Sequence, residues 1–319
     1  GLDGSWDRMD YLKIGTGAGC LEDVNGLATP VVADVNGDSV VDRVYAGDLE
    51  GNLWAFDLSD GNSNQWGVAY TSGNQPVPLF TAVSAEGNPQ PITTRPSLIF
   101  NTQVGSTEEN SPNILVTFGT GQYLVMGDRN TQDVQSYYGV WDAGSGDVGR
   151  SQLVEQTFLD WTDADTRVLT RNPVDYDTGS GGDRGWFFDL PATGERVVTD
   201  TMVRNQVGYF ATRIPNDDPC MQGGQSWLMV VDLLSGGRPE EPAIDSDNND
   251  VVDEEDQVEH EDADHPVAGL RIDKPVSDLG AVGNRLYLFG GNARDDTSYA
   301  IPPHGGENTG RMSWREILR

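Results

Sequence analysis

Four times in this chain an apolar or aromatic run ends on an aspartate that a glycine follows within five residues: WAFDLSDG at Asp57, YYGVWDAG at Asp142, GWFFDLPATG at Asp189 and WLMVVDLLSG at Asp232. Each reads as a strand entering a polar corner, because β-branched and aromatic residues favour strands while Asp and Gly favour turns. The intervals between these aspartates are 85, 47 and 43 residues. Taking the first as a double step gives a period of roughly 43 residues, the size of a four-stranded propeller blade. A blade buries its faces only against its neighbours, so the repeat predicts sheets set in a ring or an arc. No apolar helical period is sustained over three turns, and 39 Gly and 17 Pro punctuate the 319 residues. One large all-β domain therefore fits better than two average ones.

The stretch from Asp34 to Asp57 adds chemistry to that frame. In DVNGDSVVD, oxygen-bearing side chains fall at alternate positions, Asp34, Asn36, Asp38 and Asp42, with Val40 in the slot where calcium loops offer a backbone carbonyl. Three carboxylates within about 4 to 5 Å of one another repel by several kcal/mol at an effective dielectric of about 20, so a compact loop calls for a cation. Calcium suits it, taking six to eight hard oxygen ligands at flexible geometry. Two departures set the loop apart from a helix-loop-helix site: position six is Ser39, not Gly, and position twelve is Tyr45, not Glu. Thr29 to Val32 before the loop and Arg43 to Ala46 after it read as strands, so this is a nine-residue loop clamped in a sheet.

A second loop of the same spacing, DSDNNDVVD, offers Asp245, Asp247, Asn249 and Asp253, with Val251 at the carbonyl slot and Asp256 at position twelve. It sits in a stretch from about Arg238 to Pro266 that holds 13 acidic residues between Glu240 and Asp264, which predicts an exposed insertion. Asp250 takes the tight-turn position, which Asp tolerates better than most residues. Elsewhere Asn113 to Asp128 reads as strand, turn and strand, as does Gly283 to Gly291.

A net charge of −31, from 51 acidic and 20 basic residues, repels polyanions and argues against nucleic acid and against an anionic membrane surface. No run of 18 apolar residues is present, so no direct membrane insertion by a helix is expected. The N-terminal GLDGSWDRMDYLKIG lacks the basic and apolar regions of a signal peptide and reads as the middle of a longer chain. Cys20 and Cys220 form no CxxC pattern and are expected either to pair or to stay as two buried thiols. His260, His265 and His304 are the three histidines; the first two lie in the acidic stretch, where solvation is the simpler reading. No nucleophile elbow, P-loop or dinucleotide fingerprint appears, and nothing demands catalysis.

The stretches NGLATPVVADVNGDSVVDRVYAGDLEGNLWAFDL, QPITTRPSL, FGTGQYL, GWFFDLPATGERVV, DDPCMQGGQSWLMVVDLLSGG and GRMSWREI are collinear over nearly the whole chain. Together they resemble the C-terminal β-propeller of the PilY family of type IV pilus tip-associated adhesins and assembly factors. That resemblance implies a calcium site at Asp34, Asn36, Asp38, Val40 and Asp42. It also implies a modified propeller whose later blades are present here, since the early blade motif of the family is absent. The implied protein is exported through the periplasm to the pilus tip, partners minor pilins of the tip complex, supports the balance of pilus extension and retraction, and contacts surfaces or host receptors. Two contrasting readings stand beside it. The AGD-x-x-G-x-L-x-A-F-D hairpin also resembles blades of quinoprotein dehydrogenases, although those hold calcium through scattered residues and often beside adjacent cysteines. A purely structural, calcium-stabilised scaffold is the other.

Overall fold

The computed structural model describes residues 12–19, 25–107, 110–160, 164–177, 181–216, 224–290 and 297–303. Cys20, Cys220, His304 and the tail motif at 310–317 lie outside the described residues. The architecture is all-β, with three short 3-10 turns among the described residues. Four sheets of three or more strands follow one another among the described residues, beside two two-stranded hairpins. The first runs Val31–Ala33, Arg43–Gly47, Asn52–Asp57, and then both Gly67–Val68 and Phe80–Thr81 on the same edge. The second is ordered Val154–Glu155, Gly185–Asp189, Ser136–Asp142, Ile114–Gly119, Ser97–Phe100. In the third, Thr166–Arg167, Gly269–Ile272, Gln225–Asp232 and Val207–Ile214 lie side by side, with Arg196–Val197 and Met202–Arg204 on the far edge. Asp278–Val282, Arg285–Phe289 and Thr297–Ala300 make the fourth. The sheets are thus not uniformly four-stranded, because two- and three-residue strands extend their edges.

Three apolar cores lie between consecutive sheets, as expected of stacked blades. Alternate residues of one strand serve different cores because the side-chain period of a strand is two. Tyr138 and Val140 face the first sheet together with Tyr45 and Leu53, whereas Tyr137 and Trp141 face the third together with Phe210 and Met229. Tyr209, Leu228 and Val230 then meet Leu286 and Leu288 of the fourth sheet. Tyr137 stacks on Phe210 with ring centroids 4.0 Å apart. Such aromatic pairs add roughly 0.5–1.5 kcal/mol beyond their buried area.

The corner aspartates work as the sequence suggests, with one exception. Asp57 accepts the Ser59 N–H at 2.9 Å, Asp142 the Gly144 N–H at 3.1 Å and Asp232 the Leu234 N–H at 2.7 Å. These are side-chain turns that start each corner. Gly236 closes the last of them at φ 74°, and a Cβ there would fall 2.1 Å from the Trp186 ring. Asp189 instead holds Arg150 through both carboxylate oxygens, at 2.8 and 2.7 Å. Asp142 and Asp189 also end strands of the same sheet, so the 47-residue interval between them is not a step from one blade to the next, and the 85 residues from Asp57 to Asp142 are a single step between neighbouring sheets and not a double one.

Two further expectations need correction. Tyr123, Leu124 and Val125 do not form a strand after Ile114–Gly119 but stand exposed in a loop, and Met126, also exposed, opens a 3-10 turn. Asp128 accepts the N–H groups of Leu124 and Val125 at 2.7 and 2.9 Å, and Arg196 donates to the carbonyls of Gln122, Asp128 and Thr131. With the N–H groups of Leu124 and Val125 and the Val125 carbonyl already engaged, this backbone is diverted from sheet pairing. Nor is the acidic stretch exposed throughout: Ala243, Ile244 and Asp245 are buried, and the first two belong to the third core. The short apolar Pro242-Ala243-Ile244 gives that segment enough apolar surface to dock.

Candidate metal centre

The first loop joins Val31–Ala33 to Arg43–Gly47, which pair with Ala33 opposite Arg43. Asp42 N–H donates to the Ala33 carbonyl at 2.9 Å, and the Asp42 carbonyl accepts the Leu58 N–H at 2.8 Å, so position nine of the loop is fixed by the sheet. Within the loop the side chains of Asp34, Asn36 and Asp38 organise the backbone ahead of them. Asp34 accepts the N–H groups of Gly37 and Ser39, both at 2.7 Å; Asn36 accepts Asp38 N–H at 2.9 Å; Asp38 accepts Val40 N–H at 2.8 Å. The buried Asp42 carboxylate reaches back to the N–H groups of Val35 and Asn36 at 2.8 and 3.3 Å. Gly37 and Ser39 take φ 80° and 71°, giving the sharp turn that a loop of this kind needs at its centre. Each carboxylate oxygen has two lone pairs, so one N–H partner leaves capacity for a cation.

The second loop retraces this path. Asp245 accepts the N–H groups of Asn249 and Asp250 at 3.1 and 2.9 Å, Asp247 that of Asn249 at 3.0 Å, and Asn249 that of Val251 at 2.8 Å. Asn248 and Asp250 have φ 63° and 70°, matching Gly37 and Ser39 at positions four and six. The loops part after position seven. The carboxylate that reaches back to the N–H groups of positions two and three is not Asp253 but Asp256, which accepts from Ser246 and Asp247. Asp253 accepts Glu255 N–H at 2.9 Å and donates its own N–H to Asp256 at 3.0 Å. Val40 and Val251 are both exposed at the carbonyl slot.

Asp245, Asp247 and Asp256 each place an oxygen within 4.8 Å of the others, and they are the one such acidic trio among the described residues. Asp34, Asp38 and Asp42 share a turn but are not drawn that close. Burial pushes the Asp245 carboxyl above the usual carboxylate range, because the charged form loses hydration. Tyr299 is raised by its own burial and then by the charge of Asp245. Arg285 offsets part of the local charge through Asp250 at 2.9 Å, and Asp245 N–H donates to the Ala300 carbonyl at 3.0 Å. These contacts tie the second loop to the fourth sheet. The donor set of both loops, carboxylate, amide and carbonyl oxygen, fits a hard divalent cation of calcium size.

A sequence model of the family described as "PilY1 beta-propeller domain" matches residues 11–162. The "Type IV pilus biogenesis factor PilY1" of Pseudomonas aeruginosa is 32% identical over 329 residues, covering 92% of this chain and 27% of that protein. A "Type IV pilus biogenesis factor PilY1 homolog" of Xylella fastidiosa is 36% identical over 224 residues, covering 67% of this chain and 14% of that protein. Among solved structures, the C-terminal domain of Pseudomonas aeruginosa PilY1 superposes with a TM-score of 0.74 at 27% identity, covering 90% of this chain and 62% of that one. The chain therefore spans about a quarter or less of the length of these curated relatives.

Proposed function

Because the chain belongs to the PilY1 β-propeller family, we propose that it is the calcium-binding propeller of a type IV pilus biogenesis factor, displayed at the cell surface on the pilus tip. The observation that carries the calcium reading is the repetition of one backbone path in two loops of different sequence context, each lined by hard oxygen donors. Asp34, Asn36, Asp38 and Asp42, with the Val40 carbonyl, would hold the first ion. Asp245, Asp247, Asn249 and the Val251 carbonyl would hold the second, with Asp256 in the place that Asp42 has in the first and Asp253 at the rim. Calcium supplies charge neutralisation and order here, not chemistry on a substrate, so the proposed work is binding. Minor pilins of the tip complex are the proposed partners within the pilus, with a surface or host receptor beyond it, and calcium occupancy would bias pilus extension against retraction.

Calorimetric titration with calcium tests the site. Asp42→Ala is expected to lower the affinity of the first loop at least about tenfold, or about 1.4 kcal/mol, since it removes a charged ligand. The flanking strands keep their pairing, so the fold is expected to persist. Affinity equal to wild type would sink the assignment. In cells whose sole copy carries Asp42→Ala, surface piliation is expected to lose its response to calcium; a response that stays intact would separate calcium binding from pilus control.

A further inference from the structure

Immediately after Asp256 the chain forms a hairpin, Gln257–His260 against Ala263–Pro266, in the register Val258 opposite His265 and His260 opposite Ala263. The two-residue period puts Val258, His260, Ala263 and His265 on one face, with the two histidines in the diagonal relation. Their ring centroids are 6.3 Å apart and the planes are inclined at 52°. An imidazole nitrogen binds zinc at about 2.0–2.1 Å, so two rings sharing one ion stand about 5 to 6 Å apart, within reach of a small side-chain rotation here. The hairpin is closed by Glu261 and Asp262, both left-handed at φ 49° and 63°, a two-residue turn that fixes the register. At the other end Pro266 is buried and Asp256 anchors the first strand to the loop before it.

Charges of both signs surround this element. On the opposite face Glu259 stands directly across from Asp264, a like-charge pair that costs stability in a hairpin. The His265 ring shares a hydrogen bond with the His260 backbone, the kind of contact by which a metal-binding histidine is oriented. Partial burial, then the Arg238 guanidinium, then His260 hold the His265 imidazole below its usual range, against the opposing pull of Asp264.

We propose that His260 and His265 form a two-imidazole site for a borderline divalent metal of the Cu2+, Ni2+ and Zn2+ class, chemically distinct from the oxygen-lined loops. Imidazole selects this class over calcium, and the Irving–Williams order puts Cu2+ first. The remaining positions are left to water. The site does not depend on either loop binding calcium.

Untagged protein is titrated with Cu2+ in the presence of saturating calcium and followed by electron paramagnetic resonance. The expected result is one equivalent bound with hyperfine structure from two nitrogens. His260→Gln and His265→Gln should each leave one nitrogen and weaken binding at least about tenfold, while His304→Gln changes neither. The wild-type nitrogen count stands on its own if a variant misfolds. A wild-type spectrum with oxygen ligands alone, wild-type affinity in both hairpin variants, or loss of binding in His304→Gln would overturn the proposal.

Discussion

Asp142 has no exposed surface and accepts hydrogen bonds from the hydroxyls of Tyr45, at 2.8 Å, and Tyr70. Burial raises its pKa despite those donors and the charge of Arg43. A carboxyl with a raised folded-state value binds its proton more tightly in the native protein than in the unfolded chain. Its contribution to stability is therefore greatest below the unfolded value of about 3.9 and falls as pH rises through the folded value. Urea unfolding of wild type and Asp142→Asn from about pH 4 to 7 is expected to show wild type losing ground to the variant as pH increases; a constant difference would contradict this. Nothing in YYGVWDAG distinguishes this aspartate from Asp57 or Asp232, because its tyrosine partners lie 97 and 72 residues away in sequence. The same limit applies in the second loop. Alternate spacing places Asp245, Asp247 and Asn249 along one turn, but which later carboxylate folds back onto its N–H groups depends on the chain after position seven, and there it is Asp256 and not Asp253.

At the scale of elements, the third sheet is cross-tied by a buried ion pair. Arg167, on one edge strand, donates to both oxygens of Glu195 at 2.7 and 2.9 Å, next to the strand Arg196–Val197 on the other edge. Thr212 donates to the same carboxylate, and the guanidinium lies 3.8 Å from the Trp227 ring centroid. Removing one partner of such a pair leaves an uncompensated buried charge, so Glu195→Ala is expected to destabilise the protein by about 3–5 kcal/mol in denaturant unfolding. A loss under about 1 kcal/mol would mean that Arg167 finds another partner or water. Strands with a continuous apolar or alternating pattern, such as Arg43–Gly47 and Gln225–Asp232, are legible in the sequence. The short edge strands are not, since pairs such as Thr166–Arg167 and Arg196–Val197 carry no period and are recruited by tertiary packing. Tyr123 to Met126 shows the reverse case, an apolar run whose backbone is diverted by Asp128 and Arg196.

For the whole molecule, the second loop links the third core to the fourth sheet through Ile244, Ala300 and Arg285. Calcium near a hundred times its dissociation constant would stabilise the ordered loop by about 2.7 kcal/mol. Proteolysis between Glu240 and Asp264 is therefore expected to be fast in chelator and slow in calcium, with Asp247→Ala and Asp256→Ala each removing the difference. Equal rates in both conditions for wild type would mean that the loop is held by its own contacts and not by calcium. The architecture itself was readable from recurrent strand-corner units, but the blade boundaries were not, because the chain passes back and forth between neighbours. Val154–Glu155 lies in the second sheet, Thr166–Arg167 in the third, Gly185–Asp189 again in the second and Arg196–Val197 again in the third. This lacing has a mechanical consequence. Under tension from the C-terminal side, Gly269–Ile272 is drawn off early and Thr166–Arg167 loses its strand partner, while Gly185–Asp189 is still held between Val154–Glu155 and Ser136–Asp142 in the second sheet. The third sheet is then expected to run out before the second gives way, as knitting unravels row by row from the free end of the yarn.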